Sequence, residues 1–147
     1  MINLSSIAPA FIFLLAAFIV PFLKGNLRNI FVIFVPLITF FHILNLDTLS
    51  SLTVPFLDFQ LTLIRADEWS KVFGYVFTLS AFATSIYGFY QKKSTEFFSA
   101  FLYIGSALGV VFSGDLISLY IFWELMALTS VILILANRTQ SSRHAAL

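Results

Sequence analysis

The sequence predicts an all-α integral membrane protein of about five transmembrane helices with one short β-hairpin or loop outside the bilayer. Three observations predict it. The 147 residues are 60% hydrophobic and only 10% charged, where a soluble domain is about a quarter charged. The apolar residues gather into five runs, each near the ~20 residues that cross roughly 30 Å of hydrocarbon as a helix. The charged residues, finally, collect between the runs and sort by sign.

The first run spans about 7–23. It lacks the basic leader and small-residue cleavage site of a signal peptide, so it reads as a true span. The second covers about 29–44 and contains Pro36, where a kink is expected and is tolerated in lipid. The third runs over 69–90, the fourth over 97–112 and the fifth over 115–136. Between the fourth and fifth, Ser113-Gly114-Asp115 is a tight turn, so these two helices are expected to be antiparallel neighbours. Either Ser113 or Asp115 is suited to cap the incoming helix.

The loop at 47–68 supplies all but the last residue of "TVPFLDFQLTLIRADEW" (Thr53 to Trp69). Phe59, Leu61 and Leu63 alternate there with Gln60 and Thr62, a strand-like period of two. A hairpin over the helix ends and an irregular loop are both compatible with that pattern.

Lys24, Arg28, Lys92, Lys93, Arg138 and Arg143 all fall on one side of the membrane if the spans alternate. Asp47, Asp58, Asp67, Glu68 and Asp115 fall on the other, with Arg65 and Lys71 the exceptions. The positive-inside rule then puts the N-terminus outside and the C-terminus in the cytoplasm of a cell inner or plasma membrane. The sequon at Asn137-Arg138-Thr139 lies on the cytoplasmic side of that arrangement and is set aside.

Several function classes are excluded by composition. With no cysteine there is no disulfide, thiolate metal site or iron–sulfur cluster, and no glycine-rich nucleotide loop is present. No basic patch offers a nucleic-acid site. No cofactor or metal is expected, and no catalysis by the chain alone.

Two features remain that suit chemistry in a membrane. Gly74, Thr78, Ala81, Ser85 and Gly88 form one stripe of small and hydroxylated residues down the third span, and Gly105, Gly109 and Ser113 repeat the idea on the fourth. Such stripes let helix backbones approach closely in lipid; alternatively, the Thr78 and Ser85 hydroxyls help hold water along a proton path. His42, near the end of the second span, is either a proton relay or a solvated interfacial side chain.

The second feature is Glu124. It lies nine positions after Asp115, a rise of about 13–14 Å and close to the middle of its helix. A central acidic residue costs about 3 kcal/mol on insertion scales, and so short a side chain cannot snorkel. Glu124 must face protein or internal water. A carboxyl able to gain and lose a proton there suits a proton or cation carrier; the plainer reading is a protonated Glu bonded to a neighbouring helix. Tyr120 offers a hydroxyl one turn away. No Lys, Arg or second carboxylate occupies the interior of any span, so the partner is expected from outside this chain.

The stretch "FFSAFLYIGSALGVVFSGDLISLYIFWELMALTSVILI", with "FWELM" around Glu124 as its most specific part, resembles the fourth and fifth helices of the antiporter-like subunits. These are the proton-pumping membrane subunits of respiratory complex I and the large subunits of multisubunit sodium/proton antiporters. "LIRADEWSKVFGYVFTLSAFATSIYGFY" resembles the family's third helix and its approach. The likeness runs over nearly all of the chain and is nearer to the antiporter D-type subunit than to complex I. It implies that the chain is a single membrane domain, the N-terminal third of such a subunit, and that Glu124 belongs to a proton pathway. In the family this glutamate works with a lysine on a broken seventh helix, within inverted repeats. Neither that lysine nor the second repeat is in this sequence. The resemblance therefore implies a partner chain supplying the missing helices and the buried lysine, within a multisubunit assembly in the lipid bilayer. The alternatives are a piece of an NADH-quinone oxidoreductase-like pump, a non-transporting structural subunit, and a truncated fragment.

Overall fold

The computed structural model describes residues 8–48, 51–56, 59–88 and 94–136. Asp58, Lys92, Lys93, Arg138, Arg143 and the Asn137 sequon lie outside them, as do residue 7 of the first expected span and residues 89 and 90 of the third. A helix occupies each of the five expected positions: α1 (Pro9–Ile19, extended by a 3-10 turn at Val20–Phe22), α2 (Gly25–Leu44), α3 (Glu68–Tyr87), α4 (Ser94–Phe112) and α5 (Leu116–Ala136). Among the described residues, α2, α4 and α5 are long and apolar enough to cross a membrane, and Pro9–Phe22 is apolar but shorter. The α3 helix has the length, but it carries Glu68, Lys71 and a run of hydroxyls.

Local signals explain most of the boundaries. Pro9 opens α1, where its fixed φ fits and its missing N–H costs nothing. Gly25 opens α2 at φ 59, a left-handed turn that a side chain would strain. The α2 helix runs through Pro36. Asp67 caps α3 in a reciprocal box: its carboxylate accepts from the Ser70 N–H at 2.7 Å, and the Asp67 N–H donates to the Ser70 hydroxyl at 2.8 Å. Of the two candidate caps before α5, Asp115 takes the role, accepting the Ser118 N–H at 2.8 Å. Ser113 instead donates back to the Val110 carbonyl at the end of α4.

The expected hairpin is present as β1 (Ser51–Phe56) paired antiparallel with β2 (Phe59–Arg65). Thr53 pairs with Thr62 and Leu52 with Ile64, so Leu63 is the extra residue of an irregularity in the ladder. An inserted residue flips the faces that follow. That is why Leu61 and Ile64 are buried and Leu63 only partly so, although simple alternation sets Leu63 beside Leu61.

The α4 helix is the hub. It packs on α1, α3 and α5, while α1 and α3 also meet α2. Glycines set the closest approaches: a Cβ at Gly105 would stand 3.0 Å from Leu14 of α1, and one at Gly109 would fall on the Phe122 ring of α5. Gly74 sits against Ile43 and Phe112 in the same way. The small stripe of α3 is thus a packing face, with Ser70, Gly74, Thr78, Ala81 and Ser85 all buried.

The two ends of the bundle are tied differently. At the hairpin end, the Lys71 ammonium donates to the Leu46 carbonyl at 2.9 Å, and the Gly114 N–H donates to the Thr62 carbonyl at 3.0 Å. At the opposite end, the Ser94 hydroxyl reaches the Val20 carbonyl. There too lies Arg28, which sequence places in a connecting loop. The structure puts it in the first turn of α2, 9% exposed, with its guanidinium 5.7 Å from the Phe97 ring centroid. Its aliphatic stem suits an apolar surface and its planar head stacks on an aromatic ring, so burial is compatible with charge.

Candidate functional site on the outer face of α5

The residues of α5 that turn inward are Ser118, Phe122 and Thr129, which are buried. Their spacing is helical and defines one face, seated on α4 with Phe122 against Gly109. Glu124 lies nearly opposite. It is exposed on the outer face of the helix, in the company of Ile117, Tyr120, Ile121 and Leu128, all exposed. Among the described residues, no other Asp, Glu, Lys or Arg lies more than about one turn inside a helix. Within its own helix the Tyr120 hydroxyl, one turn before it, is close enough to interact with the carboxylate. Tyr120 in turn meets Trp123 edge-on, at 6.3 Å between ring centroids.

The other residues singled out in the sequence lie elsewhere. Thr78 and Ser85 are on α3, which packs on α2 and α4. Thr78 donates to the Gly74 carbonyl and Ser85 to the Ala81 carbonyl, each at 2.8 Å and each within its own helix. Thr39, Ser99 and Ser106 make the same bond one turn back. A hydroxyl used this way satisfies itself on the local backbone and fills a small space in a tight interface. His42 is half-buried in the last turn of α2; next to it, the Asn45 amide donates to the Phe41 carbonyl. Among the described residues no group of three His, Asp or Glu side chains is placed to hold a metal ion.

Two carboxylates at the hairpin end, Asp67 and Asp115, are structural in their bonding. The Ser70 N–H bonded to Asp67 holds its carboxyl below the usual range, aided by Arg65, whose guanidinium is 3.4 Å away. Burial works to raise the Asp115 carboxyl, but the hydrogen bonds from Ser118, Thr62 and Ile117 outweigh it and leave it low. Thr62 is a partner of this turn that the sequence does not announce. Only the presence of Gly114 hints that another backbone approaches there.

The fold and this face define a class: a helical membrane protein in which, among the described residues, the one carboxylate set well inside a helix points away from its own bundle. Comparison with known proteins gives the class a setting. The chain is similar to the A component of the Na(+)/H(+) antiporter of Alkalihalophilus pseudofirmus, 33% identical over 139 aligned residues that cover 82% of this chain and 17% of the relative. It is also similar to the A/B component of a probable K(+)/H(+) antiporter of Rhizobium meliloti, 38% identical over 86 residues that cover 55% of this chain and 8% of that protein. No family model matches. The chain is thus weakly homologous to antiporter-type membrane subunits, and it spans less than a fifth of the length of the curated relatives it matches. Both relatives are of the A or A/B type, not the D type.

Proposed function

We propose that this chain is part of a cation/proton antiporter assembly and that Glu124 is a proton-carrying group of its ion pathway. The observation that carries the reading is the position of Glu124: deep in an apolar helix, on the face that its own bundle leaves uncovered. A carboxylate turned to lipid there would be too costly to keep charged. A second polypeptide segment carrying a basic group, a buried lysine in the first instance, would lower that cost and make the carboxyl titratable. Tyr120 would serve as an accessory hydrogen-bonding group. The partners are other membrane subunits of the assembly, with the lipid bilayer around them. The coarse assignment to antiporters rests on the two relatives; a D-type subunit is the finer form of the proposal, and a complex I-like pump its alternative. The chain sits in the plasma or inner membrane with the hairpin end outside, the N-terminus outside and the C-terminus in the cytoplasm, as its charge distribution favours.

A second reading, a structural subunit that moves no ions, is favoured by the buried hydroxyls, which are committed to their own helix backbones. Glu124→Gln separates the two, since it keeps the shape and removes the charge. The antiporter reading expects cation/proton exchange in membrane vesicles to be abolished while the variant still co-purifies with its partners. Exchange at the natural rate would sink the proton-pathway role, and loss of co-purification would favour the structural one.

A further inference from the structure

The junction between the hairpin and α5 bonds more closely than a loop resting on a helix end needs to. The Gly114 N–H donates to the Thr62 carbonyl, while the Thr62 N–H faces the Asp115 carboxylate. Thr62 thus offers both of its main-chain groups to the two residues that open α5. Asp115 uses the same carboxylate to hold the first turn, taking the Ser118 N–H at 2.8 Å and the Ser118 hydroxyl at 3.0 Å. Contact is so close that a Cβ at Gly114 would collide with the Thr62 side chain and stand 2.8 Å from its carbonyl oxygen. The hairpin is itself anchored, with Leu61 and Ile64 buried and β2 packed on both α4 and α5.

A helix is a stiff rod at this length, so whatever holds its first turn fixes the rotation and depth of residues two turns further on. Glu124 is such a residue. Beyond that turn α5 is held along one face only, by Phe122 and Thr129 against α4, and 17% of its apolar stretch is buried within the chain. We propose that Thr62, Gly114 and Asp115 form a positioning latch, through which the hairpin, acting together with the α4 face that Phe122 meets, sets the rotation and depth at which α5 presents Glu124 to its partner. The latch rests on the reading of Glu124 as an ion-pathway group, but its geometric half stands apart from transport.

This sequence has no cysteine, so Ile121→Cys is the one attachment point for a nitroxide within it, and the same labelling of the assembly without that substitution supplies the background to subtract. The label would be read by its accessibility to oxygen and to a water-soluble nickel chelate, with the chain in its native membrane assembly. Gly114→Ala should force the hairpin off the turn and change both accessibilities. Without the label, the same substitution should slow cation/proton exchange by roughly tenfold or more, as a misplaced reacting group does. Asp115→Ala should act in the same direction, Asp115→Asn should restore much of both signals because its carbonyl still accepts hydrogen bonds, and Thr62→Val should change little because both main-chain groups remain. Should Gly114→Ala fail to accumulate, the Asp115 pair decides alone. An unmoved label in Gly114→Ala and Asp115→Ala overturns the latch. A moved label with unchanged exchange also overturns it, provided Glu124→Gln abolishes exchange; if Glu124→Gln does not, it is the pathway role that has failed.

Discussion

The α4 and α5 helices are adjacent, antiparallel and similarly apolar, yet they live in different surroundings. In α4, 56% of the apolar stretch is buried inside the chain; in α5, 17% is, although α5 has the higher mean hydropathy. The order is the reverse of what a soluble protein would show. In water, burial follows hydrophobicity; in lipid, every apolar residue is at home outside, and closeness of approach decides what goes inside. The buried positions of α4 include Gly105, Ser106, Ala107 and Gly109, small residues that let α1 and α5 come near. The α5 helix carries bulky side chains over most of its surface and holds to α4 by Ser118, Phe122 and Thr129. A hub helix and a rim helix are told apart by their small residues, not by their hydropathy. On the rim helix, the one charged residue lies on the uncovered side.

This contrast can be broken at its seam. Gly109→Leu should have the largest effect on structure, because a side chain there meets the Phe122 ring directly. Overpacking of this kind costs about 1–3 kcal/mol, and it should lower the thermal midpoint of the purified protein in lipid nanodiscs. Phe122→Ala in the same chain should recover part of that loss, which a change in surface properties alone would not. Gly105→Ala should be milder. Its nearest obstacle is the Leu14 side chain at 3.0 Å, which can turn aside, although the Leu14 backbone nitrogen at 3.1 Å limits how far that helps.

Loss of the α3 cap comes next. Asp67→Ala removes an N-cap and should cost about 1 kcal/mol, measured by the same melting experiment. Because the folded Asp67 carboxyl is held below its unfolded value, its contribution is present above the unfolded value and is lost as pH falls through the folded one. The difference between wild-type and Asp67→Ala midpoints should therefore shrink on acidification through and below the ordinary carboxylate range. The smallest effect is expected from Arg65→Ala. Its pair with Asp67 spans 3.4 Å and both side chains are largely exposed, so the change should stay under about 1 kcal/mol and diminish further in salt.

Much of the fold could be read in the residues. The helices lie close to the expected ranges because runs of apolar residues end at Pro9, Gly25, Asp67 and Asp115, which have local reasons to start a helix. The α3 stripe identified its own packing face for the same reason that α4 is the hub. What escaped was of two kinds. From sequence Arg28 falls in a loop, because a cation at a membrane boundary reads as solvated, and nothing near it in sequence announces the Phe97 ring beside it. Leu63 failed its alternation because the irregularity in the β1–β2 ladder depends on pairing with a distant strand. For the site, the depth of Glu124 follows from counting along α5, whereas its outward direction does not. The helix is apolar all round, so periodicity carries no information about which side meets α4. Contact with Gly109 settles that.

In the working assembly the outer face of α5 around Glu124 is expected to be covered by protein. The most direct test uses nitroxide labels at Leu128→Cys on that face and at Ile38→Cys on α2, both exposed within this chain, with the complex in its native membrane. Oxygen, which concentrates among lipid chains, should reach the label at Ile38→Cys freely and the label at Leu128→Cys poorly. Equal and high oxygen accessibility at the two positions would mean that α5 faces lipid, and would contradict the account.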